Sequence, residues 1–127
     1  MVNEFSDRTG IPCSYVYKDP VGILPPDLTI CIYRVVQECL SNISRHAQAS
    51  QVEIELICES DGVSLSVRDN GVGFDTSHGD QMGGHLGLLS MKERVRMAKG
   101  MLEVESAPLH GTEIRVDIPL DLGGSDA

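Results

Sequence analysis

The sequence predicts an α+β domain in which an antiparallel sheet carries helices on one of its faces. Four segments in residues 51–120 alternate apolar and polar residues with a period of two, which is typical of strands buried on one face only. Two other segments repeat their apolar residues at helical spacing and therefore each present one apolar side. The apolar sides of the helices and the apolar face of the sheet are expected to pack against each other. This packing predicts the α/β (α+β) class.

The composition is that of one soluble globular domain without a nucleic-acid surface. The 127 residues are 41% hydrophobic and 23% charged, with a formal net charge of −9. An acidic chain lacks the cations that neutralise phosphates, so nucleic acid is not expected as a partner. No apolar run is long enough to span a membrane, and no signal-peptide pattern follows Met1. We expect no direct membrane insertion in this segment.

The cysteines favour a reducing, cytoplasmic location. Their positions show no paired spacing, and three of them fall inside helix or strand patterns. Buried thiols are therefore favoured over a zinc site or a disulfide framework. The four are Cys13, Cys31, Cys39 and Cys58.

The first regular elements are a short strand and a long helix. Residues 1–10 look irregular, and a strand is expected from Ile11 to Tyr17. Prolines then interrupt the chain before a helix from about Leu28 to His46, for which Asp27 is the expected N-cap. The apolar arc of this helix comprises Leu28, Ile32, Val35, Val36, Cys39, Leu40 and Ile43.

A polar column lies at the edge of that apolar arc. Glu38, Asn42 and His46 follow one another at i, i+4 and i+8. Such residues are commonly boundary groups with local hydrogen bonds. Three of them on a core-facing edge also indicate a candidate site, because buried polar groups need partners.

Two strands follow the helix and lead to the most informative stretch of the chain. Gln51–Glu59 and Val63–Val67 both alternate, with Asp61-Gly62 as the turn between them. The second strand ends at the carboxylate of Asp69, the first residue of the stretch Asp69–Asp75. Gly71 and Gly73 follow in this stretch, two positions apart. Asn70-Gly71 is a hairpin signal, but no alternating strand follows it. The residues alone therefore leave a turn and a ligand site open.

A glycine-rich polar stretch leads into the second helix. Gly83–Leu88 precedes a helix from about Leu88 to Lys99, with Gly100 as its expected stop. A glycine-rich loop at a helix N-terminus suits phosphate, although it also makes a plain flexible loop. Strands at Leu102–Ser106 and Thr112–Leu120 close the domain, and residues 121–127 are expected to be disordered.

Four stretches, taken in order, resemble the sequence boxes of the GHKL ATP-binding superfamily of gyrase, heat-shock chaperones, histidine kinases and MutL. They are Arg34–Glu38 continuing through Asn42 to Ala47, Asp69–Phe74, Gly83–Leu88, and Gly111-Thr112 before a strand. The resemblance implies a Bergerat-type ATP-binding fold. In this fold a mixed, mostly antiparallel sheet with helices on one face makes a two-layer sandwich.

Within that superfamily the chain is most similar to the C-terminal catalytic domain of a two-component sensor histidine kinase. The phrases Glu38-x3-Asn42-x3-His46-Ala47 and Gly87-Leu88-x2-Met91-x-Glu93-Arg94 resemble the nitrate-sensor-like subclass. The resemblance covers nearly the whole chain, so residues 1–127 are expected to form a single catalytic domain.

The resemblance implies a set of residues around ATP and Mg²⁺. Asp69 would accept a hydrogen bond from the adenine amino group, and Thr112 would reach the adenine edge directly or through water. Asn42 would be a magnesium ligand, and Glu38 would act as general base or position the nucleophile. Further contacts to the nucleotide are implied for Gly71, Gly73, Gly83, Gly84, Gly87, Leu88, Arg45 and His46. A packed helix-end histidine is an equal alternative for His46.

The resemblance also implies a reaction and its partners. The γ-phosphoryl group of Mg-ATP would pass to a histidine on a separate dimerisation segment of the same kinase, and then to a response regulator. None of the chain's own histidines lies in the context of a phosphoacceptor; they are His46, His78, His85 and His110. The chain is therefore expected to be an isolated catalytic domain in the cytoplasm, with any membrane anchor elsewhere in the parent protein.

Two other functions stay open at this point. The same fold serves stand-alone serine kinases of the anti-sigma-factor type, whose length this chain shares. A nucleotide-binding module without catalysis is the third possibility. Glu38 and Asn42 argue against the latter, since both groups needed for chemistry are present.

Overall fold

A computed structural model describes residues 2–19, 24–44, 48–72 and 88–119. Eight elements follow one another in these ranges. They are α1 (Val2–Thr9), β1 (Cys13–Lys18), α2 (Pro26–Asn42), β2 (Val52–Glu59), β3 (Gly62–Asp69), α3 (Leu88–Met97), β4 (Met101–Ser106) and β5 (Thr112–Pro119). The predicted strands are all present, with ends that differ by one or two residues.

The described strands form one five-stranded sheet in the order β1-β2-β3-β5-β4. β1 pairs with β2 in parallel, and the other pairs are antiparallel. A parallel pair needs a long crossover, and α2 lies in the segment that supplies it. The prediction of a mixed, mostly antiparallel sheet is therefore confirmed.

The alternation of the strands gives the sheet one buried face. On β3, the side chains of Val63, Leu65 and Val67 are each at most 2% exposed. Ser64 and Arg68 of the same strand point the other way and face solvent. The inward residues of β2 and β5 behave in the same way, because period-two alternation places them on the same face. The apolar sides of α2 and α3 pack on this face and complete one core.

The prediction of an irregular N-terminal segment is wrong. Residues expected to be irregular form α1, and Phe5 of this helix is only 1% exposed. Gly10 follows the helix, and its amide donates to the carbonyl of Ser6 at 2.8 Å. One buried aromatic anchor stabilises a short helix through tertiary packing, and hydrophobic periodicity over eight residues does not reveal it.

The start of α2 also differs from the prediction. Asp27 is not the N-cap; Pro25 occupies that position with an extended backbone, and no side chain caps the helix. Pro26 begins the helix, because a residue without an amide proton loses nothing in the first turn. Asp27 lies in that first turn, where its charge favours the positive end of the helix. The predicted end at His46 lies outside the described residues.

The end of α3 shows what its flanking glycine does. Lys99, which follows α3, has a left-handed backbone with φ +67°. The amide of Gly100 closes the helix by donating to the carbonyl of Val95 at 2.9 Å. A Cβ at Gly100 would lie 2.6 Å from the carbonyl oxygen of Asp117, so this position is glycine because β5 passes so close. In the part of the chain that is described, no helix is long and apolar enough to cross a membrane.

Candidate functional site

Asp69 lies at the end of β3 on the buried face of the sheet. It continues the inward series of Val67 and pairs in register with Thr112 of β5. Its Oδ1 accepts a hydrogen bond from the amide of Gly71 at 2.8 Å, and the backbone amide of Thr112 donates to the same carboxylate. Burial raises the pKa of Asp69 above its ordinary 3.8, and the two amide hydrogen bonds lower it in part. The carboxylate is thus half-buried and held in one orientation.

The turn between β4 and β5 packs directly against this strand end. Gly111 has φ +74°, and the amide of Leu109 donates to the carbonyl of Val72. The contacts tie residues 107–111 to the segment that carries Asp69. An open cleft of about 550 Å³ lies here, and Asp69, Thr112 and His110 are among its lining residues.

Two hydroxyl groups meet beside Asp69. Ser106 Oγ donates to the carbonyl of Gly111 at 3.0 Å and lies 2.8 Å from Thr112 Oγ1. A hydroxyl has one proton, so when Ser106 donates to Gly111, Thr112 must be the donor in the hydroxyl pair. The oxygen of Thr112 then keeps its lone pairs for a ligand. Sequence reasoning missed Ser106, whose role depends on its pairing with Thr112 across two strands.

The inner edge of α2 brings further polar groups to the same region. Cys39 is 1% exposed, and its Sγ lies 3.8 Å from Met91 Sδ on α3. Burial raises the pKa of the Cys39 thiol, and the charges of Glu38 and Asp69 raise it further. Cys39 follows Glu38 directly in the chain, and α2 packs on the face of the sheet toward which Asp69 lies. Glu38 and Asp69 therefore lie on the same side of the sheet, although they come from different elements.

Asn42 is the most unusual polar residue of this helix. It lies one turn after Glu38, and both side chains are half-buried. Within the described ranges, Asn42 Oδ1 is a buried side-chain oxygen without a hydrogen-bond partner. A buried acceptor without a donor costs about 1–3 kcal/mol, so such an atom indicates a missing partner.

Asn70 does not form the hairpin turn that its sequence allowed. β3 pairs with β2 on one side and β5 on the other, so no strand directly after Asn70-Gly71 can pair with it. Instead, the Asn70 side chain binds Ser50 and Gln51, about twenty positions earlier. Sequence reasoning missed this contact, and the only signal was an Asn at a strand end, where side-chain-to-backbone bonds are common.

Some of the predicted site residues lie in the described ranges, and the others lie outside them. The structure places Glu38, Asn42, Asp69, Gly71 and Thr112 at the ends of α2, β3 and β5 on the buried side of the sheet. Leu88 begins α3 and is 2% exposed, so its side chain belongs to the core and only its backbone is left for a ligand. The remaining candidates lie outside the described residues; they are Arg45, His46, Gly73, Gly83, Gly84 and Gly87.

Comparison with known sequences places the chain in a family of ATPases. Residues 28–122 match the family described as histidine kinase-, DNA gyrase B- and HSP90-like ATPase. The chain is 35% identical over 119 residues to the signal transduction histidine-protein kinase/phosphatase DegS of Brevibacillus brevis, covering 94% of this chain and 30% of that protein. It is 31% identical over 117 residues to the oxygen sensor histidine kinase NreB of Staphylococcus carnosus, covering 92% and 33%. The chain thus spans about a third of the length of these curated relatives.

Solved structures share the fold. The histidine kinase domain of a blue-light activated histidine kinase from Erythrobacter litoralis superposes with a TM-score of 0.76 at 24% identity, over 94% of this chain and 61% of that chain. The histidine kinase AdeS of Acinetobacter baumannii gives a TM-score of 0.74 at 16% identity, over 94% and 59%.

Proposed function

Because the chain belongs to the histidine kinase-, DNA gyrase B- and HSP90-like ATPase family, we propose that it binds Mg-ATP as the catalytic domain of a sensor histidine kinase. The observation that carries the proposal is the Asp69 carboxylate. It is half-buried at the end of β3, and backbone amides fix its orientation. A buried carboxylate retained despite its desolvation cost is a common mark of a functional group.

Asp69 is the adenine-selecting residue in this proposal. A carboxylate only accepts hydrogen bonds, so when it faces the 6-position of the purine it pairs with the amino group of adenine and repels the keto oxygen of guanine. Thr112 lies opposite Asp69 in the strand register, lines the same cleft, and keeps acceptor lone pairs when its hydroxyl donates to Ser106. Gly71 is buried beside them, and without a side chain it lets the base approach the backbone. Gly73 has the same role in the proposal.

Asn42 fits the role of a magnesium ligand. Its Oδ1 is an oxygen donor, the type that Mg²⁺ prefers, and no hydrogen bond from the described residues satisfies it. No cluster of three or more His, Cys, Asp or Glu side chains in the described ranges could hold a metal ion alone. Nucleotide phosphates would then supply most of the ligands, which is usual for Mg²⁺. When bound, the ion offsets the charge of the triphosphate.

Glu38 is the general base or the group that positions the nucleophile. In the proposed reaction the imidazole nitrogen of a histidine on the dimerisation segment attacks the γ-phosphorus of ATP. A P–N bond forms, the bond from the γ-phosphorus to the β,γ-bridging oxygen breaks, and ADP leaves. Glu38, half-buried one turn before Asn42, orients the imidazole or takes its proton. Catalysis rests otherwise on positioning and charge.

The remaining parts of the proposal concern residues and partners beyond the described site. We assign Gly83, Gly84 and Gly87, with the backbone of Leu88, to binding of the phosphates as a lid, and Arg45 and His46 to contacts with phosphate oxygens. Residues 1–127 act as one catalytic domain in the cytoplasm, where ATP is available. A response regulator accepts the phosphoryl group from the phosphorylated histidine. The names of the sensor histidine kinase relatives support the kinase reaction and its partners, whereas the contacts assigned to these glycines, Arg45 and His46 rest on their places in the sequence boxes.

A binding experiment tests the adenine site. We expect Asp69→Asn to weaken ATP binding at least about tenfold, because a hydrogen bond to a charged acceptor is worth about 1.5–3 kcal/mol. Asp117→Asn is the matched control, since Asp117 lies on the exposed face of β5. Equal ATP affinity in the wild type and in Asp69→Asn would remove Asp69 from the site.

A transfer experiment tests the reaction. The domain is mixed with labelled ATP and with dimerisation segments from the related sensor kinases. Acid-labile label on a histidine of the segment is expected. Label on a serine would instead favour a serine kinase, and ATP binding without transfer to any partner would favour a module without catalysis.

A further inference from the structure

The side chain of Asn70 connects the end of β3 to the segment that enters β2. Its Oδ1 accepts hydrogen bonds from the amides of Ser50 at 2.9 Å and Gln51 at 3.0 Å. Its Nδ2 donates to Ser50 Oγ at 2.9 Å. The backbone amide of Asn70 also donates to the carbonyl of Gln51 at 3.3 Å. One residue thus makes four hydrogen bonds to two adjacent residues.

These bonds hold the middle of the turn that orients Asp69. Gly71 donates its amide to Asp69 Oδ1, so residues 69–71 form a turn in which a side chain bonds to the backbone two residues later. Asn70 is the central residue of this turn, and its own peptide groups set where the Gly71 amide points. Asp69 is also the last residue of β3 paired with both neighbouring strands, so the ladders no longer fix the chain beyond it.

A role in overall stability does not explain this arrangement. Asn70 is exposed, so its hydrogen bonds compete with water and each contributes little net free energy. Several bonds that converge on one side chain nevertheless define its position closely. Their effect is therefore geometric, and the group they orient is the neighbouring carboxylate.

We propose that Asn70 is a positioning residue for Asp69, which holds the Asp69 carboxylate in the direction that distinguishes adenine from guanine. The inference rests on the proposed ATP-binding function. Asn70 itself makes no contact with the base. Its loss lets the turn at residues 69–71 relax, so that the carboxylate samples other directions and discriminates less between the two purines.

The ratio of affinities for ATP and GTP is the readout. A variant that only lowers the fraction of folded protein weakens both nucleotides equally, so its ratio stays unchanged. We expect Asn70→Ala to lower the preference for ATP about tenfold, the loss of one well-placed hydrogen bond. Binding of both nucleotides is measured on the full chain with Mg²⁺, using competition for the weaker ligand.

Three further variants separate positioning from general damage. Asn70→Asp keeps the oxygen acceptor for both amides, and Ser50→Ala removes only the contact to Nδ2; both should retain most of the preference. Ser64→Ala is the control, because Ser64 makes a side-chain hydrogen bond, 3.0 Å to Asp117, on the face of β3 opposite to Asp69. An unchanged ATP-to-GTP ratio in Asn70→Ala, with or without loss of stability, would overturn the inference alone. A wild type without preference for ATP would overturn the adenine site and this inference together.

Discussion

Gly111 lies so close to the backbone of Asp69 that a Cβ at this position would stand 2.2 Å from the Asp69 carbonyl oxygen. Gly111 also has φ +74°, in the left-handed region that other residues rarely adopt. A glycine is therefore required before Thr112 for two reasons. The backbone has a left-handed φ at this position, and a side chain would clash with the end of β3. Gly111 thus lets the turn before Thr112 pack against Asp69, the residue to which we assign adenine binding.

The two requirements at Gly111 can be separated by substitution. Gly10 has the same φ of +74°, but no atom lies within 4 Å of the position that a Cβ would take there. Gly10→Ala should therefore cost only the dihedral strain, about 1–2 kcal/mol. Gly111→Ala should cost about 2 kcal/mol more and also weaken ATP binding, because the clash displaces Asp69. Urea unfolding of both variants measures the difference, and equal costs would show that contact with Asp69 is unimportant.

The raised pKa of Asp69 makes its contribution to stability depend on pH. In the folded protein burial raises this pKa above the ordinary 3.8, with partial opposition from the Gly71 and Thr112 amides. Between the two pKa values the folded state binds more protons than the unfolded state, so stability is lost as pH rises. The Cys39 thiol on α2 also has a raised pKa and therefore stays neutral in this range.

Asp69→Asn removes this titration. The stability of the wild type relative to Asp69→Asn should therefore fall as the pH rises above the ordinary pKa of 3.8, even if the two proteins differ in stability at every pH. Over the same range, ATP binding by the wild type should improve, because only the carboxylate accepts the adenine amino group. Unfolding curves of both proteins at several pH values test the sign. A constant difference would contradict a raised pKa.

Asn42 should show opposite effects on stability and on nucleotide binding. Its buried Oδ1 lacks a partner among the described residues, so Asn42→Leu, of similar size, removes an unsatisfied acceptor. Without nucleotide this variant should be as stable as the wild type or more stable, by up to about 2 kcal/mol. The gain in ATP affinity on adding Mg²⁺ should disappear.

The neighbouring residue Ser41 supplies the control for this experiment. It lies on the same helix and is also half-buried, but it is not assigned to the site. Ser41→Ala should keep the magnesium dependence of ATP binding. A normal magnesium dependence in Asn42→Leu would remove Asn42 from the set of metal ligands.

Short-range patterns predicted the parts of the site that depend on one element at a time. Period-two alternation on β3 places Asp69 on the same face as Val67, and helical spacing places Asn42 one turn after Glu38. The one-sided sheet followed from the same alternation. These positions could be read from the sequence, because each depends only on the geometry of its own strand or helix.

Contacts between distant residues could not be predicted in this way. The bonds from Asn70 to Ser50 and Gln51, and the approach of Gly111 to Asp69, depend on which strands become neighbours. Strand order β1-β2-β3-β5-β4 is a property of the whole chain, and alternation does not contain it. Helix α1 could not be predicted for the same reason, because Phe5 is buried only when the rest of the core has assembled.

The hydroxyl pair beside Asp69 gives the last prediction. Ser106 Oγ lies 2.8 Å from Thr112 Oγ1 and donates to the carbonyl of Gly111 at 3.0 Å, an arrangement that leaves Thr112 as an acceptor toward the cleft. Ser106→Ala lets the Thr112 hydroxyl rotate, so ATP affinity should fall about three- to tenfold. Ser106→Thr keeps the hydroxyl and should restore it. Ser66→Ala, which loses a 3.3 Å hydrogen bond to Glu113 on the other face of the sheet, is the control. Isothermal titration with ATP measures all three, and equal weakening by Ser66→Ala and Ser106→Ala would show that the sheet, rather than the orientation of Thr112, determines affinity.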